Sequence, residues 1–120
     1  MSRSVLIVDD DRIFLSLATQ ILTQAGLEVV ATAEDAASAV SAANDTKPDC
    51  ALVDVGLPDR VGTDLARELA ELPWRPRVVL TSTDSDAGLA LDVLDGRPRL
   101  SFIAKEDLAN GQLASLLASW

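Results

Sequence analysis

Asp9, Asp10 and Asp11 stand in a row directly after the apolar run Val5–Val8. Asp54 follows the run Cys50–Val53, Thr81 and Ser82 follow Val78–Leu80, and Lys105 follows Leu100–Ala104. Singly these types are ordinary, since aspartate commonly caps helices and lysine is usually exposed. Their shared placement, each just past an apolar run, gives them meaning together. Carboxylates gathered in one pocket repel and resist full ionisation. A hard divalent cation resolves that conflict, and magnesium takes oxygen ligands at about 2.0–2.1 Å while keeping water for a phosphate. Lys105 adds a positive charge and Thr81 a hydroxyl donor. The set suits a phosphoryl group arriving on a carboxylate oxygen, with Asp54 as nucleophile and an aspartyl phosphate as product.

The elements that must position these groups follow from periodicity. Five runs rich in Val, Ile or Leu read as strands: Val5–Val8, Leu27–Ala31, Cys50–Val53, Val78–Leu80 and Leu100–Ala104. Phe14, Leu17, Ala18, Ile21, Leu22 and Ala25 repeat at helical spacing, and Gly26 stops them. Leu65, Ala66, Leu69 and Leu72 repeat likewise before Pro73, and Leu113, Leu116, Leu117 and Trp120 form a last stripe. Ala36–Ala43 and Ala87–Leu94 complete the helical segments. Strand and helix thus alternate five times, with strand ends about 22–27 residues apart. Strands apolar throughout, between helices, predict a parallel sheet covered on both faces. In such sheets ligands bind beyond the carboxyl ends of the strands, where the strand order reverses. In the order 2-1-3-4-5 the second strand, ending blandly in Ala31-Thr32, lies at an edge. The four strands with polar ends are then contiguous.

Composition bounds the chemistry. The 120 residues predict one domain, 1–120, with no output domain. Ten basic against nineteen acidic residues give a net charge of −9, which disfavours direct binding to nucleic acid or anionic membrane. The chain has no histidine, so His-ligated zinc, His bases and serine–histidine triads are excluded. Cys50, alone, excludes an internal disulfide and reads as a small buried hydrophobe. No apolar run approaches the roughly 20 residues of a membrane span, and no signal peptide is expected, which predicts a cytoplasmic protein.

The motifs V-L-I-V-D-D-D, D-V-G-L-P-D-R-V-G, V-V-L-T-S and S-F-I-A-K resemble the receiver domain of bacterial two-component response regulators over essentially the whole chain. The resemblance implies a flavodoxin-like (βα)5 fold. It makes Asp54 the phosphoacceptor. It makes Asp9 and Asp10 an acidic magnesium-binding pair, with Asp10 favoured as the direct ligand, alongside Asp54 and the main-chain carbonyl of Gly56. Thr81 matches the switch hydroxyl, with Ser82 as the alternative one residue on. Lys105 matches the lysine that contacts the phosphoryl group, Phe102 the aromatic whose rotamer tracks activation, and Pro58 and Gly62 the proline and glycine of the loop after strand 3. One departure is Glu106, where the family often has proline after the lysine.

The resemblance further implies a phosphoryl donor, either a sensor histidine kinase or a histidine phosphotransfer protein. It implies a downstream protein target or effector domain that reads the face of helix 4, strand 5 and helix 5. A phosphorylation-dependent homodimer is a further form it allows. Whether the chain is a stand-alone receiver or part of a longer regulator stays open. Two rival readings differ in class. One is a receiver-like interaction module that is never phosphorylated. The other is a haloacid-dehalogenase-type phosphatase, whose Asp-x-Asp motif is followed by Gly and Thr, whereas here Asp9-Asp10-Asp11 is followed by Arg12-Ile13.

Overall fold

The computed structural model describes residues 3–82 and 100–105. The helical segments expected at 87–94 and 113–120 lie outside the described residues, as does Glu106. The described elements are β1 (Ser4–Val8), α1 (Arg12–Gln24), β2 (Glu28–Ala33), α2 (Ala36–Thr46), β3 (Cys50–Asp54), α3 (Gly62–Ala70), β4 (Arg77–Ser82) and β5 (Leu100–Ala104). All five strands are parallel, in the order β2-β1-β3-β4-β5. That is the doubly wound order expected from the sequence, with the reversal between β1 and β3.

Alternation along the strands sorts the core into two layers. Leu6, Val8, Ala51, Val53, Val78 and Leu80 pack against Ala36, Ala39 and Ala43 of α2 and Leu65, Ala66 and Leu69 of α3. Val5, Ile7, Cys50, Leu52, Val79 and Ile103 face the other way, toward Phe14, Leu15, Ala18 and Leu22 of α1. Ala36, Ala39 and Ala43 of α2 are buried, and their small size brings that helix close to the sheet.

Helix ends are set by local chemistry. Asp11 caps α1 by accepting the N–H groups of Ile13 (3.0 Å) and Phe14 (3.3 Å). Gly26, at φ 91°, takes the left-handed conformation that ends the helix, and Leu27 N–H bonds back to the Leu22 carbonyl at 3.0 Å. Asp35 caps α2 through Ser38 N–H at 2.8 Å. Asp59, from the loop after β3, reaches the same helix end. Its carboxylate accepts Ala36 N–H at 2.9 Å and Ala37 N–H at 3.2 Å. Thus α2 carries a second cap from a segment 23 residues further along.

Several boundaries differ from the sequence reading by one to three residues, and two of them bear on the site. β2 runs on through Thr32 and Ala33, and its pairing with β1 slips by one residue between Val5 and Leu6. Thr81 and Ser82 lie inside β4 rather than after it, because β-branched Thr81 continues the ladder opposite Asp54.

Candidate functional site

The strand ends converge at the carboxyl edge of the sheet. The backbone there is fixed by bonds that extend the ladders: Asp9 N–H to the Ala33 carbonyl (2.9 Å) and Val55 N–H to the Thr81 carbonyl (3.0 Å). Alternation then decides which side chains meet. Val8, Val53 and Leu80 point into the α2/α3 layer, so Asp9, Asp54 and Thr81 stand on the α1 side. Ile103 is in the α1 layer, so Lys105, two residues on, belongs to that side as well. Asp54 and Thr81 are lateral partners in the β3–β4 register.

Asp9 is fully buried, and Asp54 and Thr81 are nearly or wholly so. The Lys105 ammonium lies 2.6 Å from Asp9 Oδ2 and 3.5 Å from Asp54 Oδ1. Asp9 Oδ1 accepts the N–H of Asp11 at 2.9 Å, and Oδ2 is engaged by the Lys105 ammonium. Burial raises the Asp54 carboxyl above the usual carboxylate range. The negative charge of Asp9 adds to the rise, and Lys105 opposes it. For Lys105, burial alone pulls downward, but Asp9 and Asp54 outweigh it and hold the ammonium more firmly protonated than a free lysine.

Asp10 is exposed at the rim. Carboxylate oxygens of Asp9, Asp10 and Asp54 lie within 4.8 Å of one another, close enough to share one metal ion. Three hard oxygen donors gathered at one point fit a magnesium ion better than any softer metal. Gly56 adjoins this group, since a Cβ on it would stand 3.7 Å from Asp54 Oδ2, in ordinary contact. Gly62 approaches from beneath, and its N–H donates to the Val55 carbonyl at 2.9 Å. A Cβ there would fall 2.0 Å from the Asp54 carbonyl oxygen, so only glycine allows α3 to start this close to the acid.

Thr81 Oγ1 is 3.4 Å from the Val53 carbonyl oxygen, a long bond to a group already engaged in the sheet. Ser82, one residue on, falls on the opposite side by alternation. Phe102 does not join the cluster. It pairs with Leu80 across the β4–β5 ladder and packs, half-buried, against the α2/α3 layer. Cys50 is buried far down β3, with its thiol pushed up to about 12 by burial, and takes no part in this edge.

Two residues near the site escape sequence reading. Phe14 reads as one apolar position of a helical stripe, yet its ring lies under the Lys105 ammonium, 4.4 Å from centroid to Nζ. Asp59 reads as a loop residue, yet it ties the segment after Asp54 to α2. The only sequence signal for the latter was its place right after Pro58. An open groove between α1, the edge of β2 and α2 lies apart from the carboxylates and is bridged by Arg12 and Glu34 at 2.7 Å.

Comparison with known proteins bears on the family and the fold. Residues 5–110 match the family model described as the response regulator receiver domain. The chain is 28% identical over 116 residues to the chemotaxis protein CheY of Bacillus subtilis, covering 97% of this chain and 96% of that protein. It is 35% identical over 113 residues to the protein-glutamate methylesterase/protein-glutamine glutaminase of Archaeoglobus fulgidus, covering 93% of this chain but only 32% of the relative. Among solved structures, a complex of CheX, CheY, BeF3 and magnesium from Borrelia burgdorferi aligns with TM-score 0.83 and 26% identity, over 98% of this chain and 90% of that one. A CheY-like receiver domain from Methylobacillus flagellatus shares the fold, with TM-score 0.82 and 21% identity over 99% of this chain and 98% of that one.

Proposed function

Because the chain belongs to the response regulator receiver domain family, we propose that it is a phosphorylation switch that accepts a phosphoryl group on Asp54. The observation that carries this reading is the grouping of Asp9, Asp10 and Asp54 around one pocket, with Lys105 bridging Asp9 and Asp54. The donor is a phosphohistidine on a sensor kinase or phosphotransfer protein. An Asp54 carboxylate oxygen attacks phosphorus, the phosphorus–nitrogen bond of the donor breaks, and the imidazole leaves with the electron pair. This chain has no histidine, so it stands at the accepting end of such a relay.

Asp9, Asp10 and Asp54, with the Gly56 carbonyl, would hold magnesium, which supplies charge neutralisation for the incoming phosphoryl oxygens. The Borrelia CheY complex contains magnesium, which supports that assignment for a relative. Lys105 offers a second positive charge beside the acceptor oxygen. Thr81 exchanges its long bond to Val53 for a phosphoryl oxygen, a better acceptor because it is charged. The resulting inward movement of Thr81 is passed along β4 to Phe102, its neighbour's partner on the other side of the sheet. The readout surface includes β5, and it binds a downstream protein or effector domain. No described helix is long and apolar enough to cross a membrane.

The test is intact mass after incubation with magnesium and acetyl phosphate. A phosphoryl adduct that requires magnesium and disappears in Asp54→Asn is expected. An unmodified wild type, or an undiminished adduct in Asp54→Asn, overturns the reading. An unmodified wild type whose partner binding survives Asp54→Ala would favour a phosphorylation-independent interaction module.

A further inference from the structure

Among the described residues Lys105 has three neighbours that fix its ammonium, two of them acids. The third is the face of Phe14, 4.4 Å away. Phe14 sits in the first turns of α1, which Asp11 caps, and is 8% exposed. The Lys105 side chain is 13% exposed, so the ammonium is largely desolvated and a ring quadrupole acts on it strongly. The two acids are the groups that phosphoryl transfer alters. A cation held by Asp9, Asp10 and Asp54 would draw the Asp9 carboxylate away from the ammonium, and on phosphorylation the Asp54 oxygen would become part of an acyl phosphate. The ring face is the one described contact that neither change touches. A flexible, strongly hydrated lysine loosened from Asp9 would otherwise swing toward water.

We infer that Phe14 is a positioning residue, whose ring face keeps the Lys105 ammonium over Asp54 while the carboxylates change partners. This rests on Asp54 being the phosphoacceptor. Transfer from acetyl phosphate forms the bond from Asp54 oxygen to phosphorus and breaks the bond from phosphorus to acetate oxygen. Acetate leaves with the electron pair, and Lys105 sits where the transferred oxygens gather charge.

The experiment replaces Phe14 by cyclohexylalanine, which keeps the shape and lacks the π face, and by mono-, di- and trifluorinated phenylalanines, which keep the ring and drain its quadrupole. Magnesium-dependent phosphorylation by acetyl phosphate is followed by intact mass. The rate is expected to fall stepwise with fluorination, reaching about 3- to 10-fold below wild type in the cyclohexyl protein, the usual scale of a desolvated cation–π contact. Equal rates in the phenylalanine and cyclohexylalanine proteins overturn the inference, because packing alone then suffices. A double-mutant cycle with Lys105→Met, read by urea unfolding, tests the contact without any phosphorylation. Coupling that vanishes with cyclohexylalanine supports it, and no coupling overturns it. A wild type that takes no phosphoryl group is a failure of the functional reading, and the cycle still decides the contact.

Discussion

Gly62→Ala should destabilise the protein, although the same change in an exposed helix usually stabilises by about 1 kcal/mol. The added Cβ would stand 2.0 Å from the Asp54 carbonyl oxygen, 2.7 Å from Val55 Cα and 2.8 Å from the Asp54 carbonyl carbon. All three are main-chain atoms, so no side chain can swing aside. The start of α3 must retreat by at least about 1 Å to reach normal contact. Overpacking of this kind costs about 1–3 kcal/mol. Retreat also breaks the 2.9 Å bond from Gly62 N–H to the Val55 carbonyl, leaving buried groups unpaired at a further cost of about 1–3 kcal/mol. The expected total is about 2–6 kcal/mol, or a Tm lower by about 8–25 °C for a domain of this size. Urea and thermal unfolding followed by circular dichroism measure it. Gly26→Ala is the control, since nothing lies within 4 Å of its Cβ and only its φ of 91° is strained. That variant should lose about 1–2 kcal/mol. If Gly62→Ala melts within about 3 °C of wild type, the argument from close approach is wrong.

Three further outcomes follow from the same geometry. Asp59→Ala removes the acceptor for Ala36 and Ala37 N–H and should cost about 1 kcal/mol in thermal unfolding, most of it restored by Asp59→Asn; an unchanged melting curve would show that Asp35 caps α2 alone. In the metal-free protein Asp54 binds its proton more tightly when folded than when unfolded, so its own contribution to stability should fall as pH rises from near 3.8 through the raised folded value. Asp54→Asn should therefore gain stability over wild type at neutral pH, and the gain should vanish below about pH 4; urea midpoints showing the opposite trend refute the sign. Cys50, buried and with its thiol pushed up to about 12, should resist an aromatic disulfide reagent at pH 8 until urea unfolds the chain, and fast labelling of the native protein would contradict its placement.

The five strands and the shared edge of Asp9, Asp54, Thr81 and Lys105 were legible because runs of Val, Ile and Leu alternate with helical segments and each polar group stands at the carboxyl end of a run, whereas the strand order came from the resemblance to the receiver family. Alternation also separates Thr81 from Ser82 once Val53 and Leu80 are known to share a layer. Other features depend on distances through space that no local pattern encodes. A helical stripe marks Phe14 as buried but does not say that an ammonium from β5 meets its ring. Capping rules look three residues along the chain, whereas Asp59 caps a helix that began 23 residues earlier. The glycine at 62 could be matched to a family position, but the reason for it is a carbonyl oxygen on a neighbouring strand.

The pocket depends on counting. Asp9, Asp54, Thr81 and Lys105 share one side of the sheet only because each strand delivers them with the right parity from its buried run. A mutation that adds or removes one residue within Cys50–Asp54 would turn the acid toward the alanines of α2, with every side chain still chemically intact. The loops carry no such parity. Length changes in this family should therefore accumulate in connections away from the pocket, while the strands tolerate replacement of one apolar residue by another far better than the loss of a single codon.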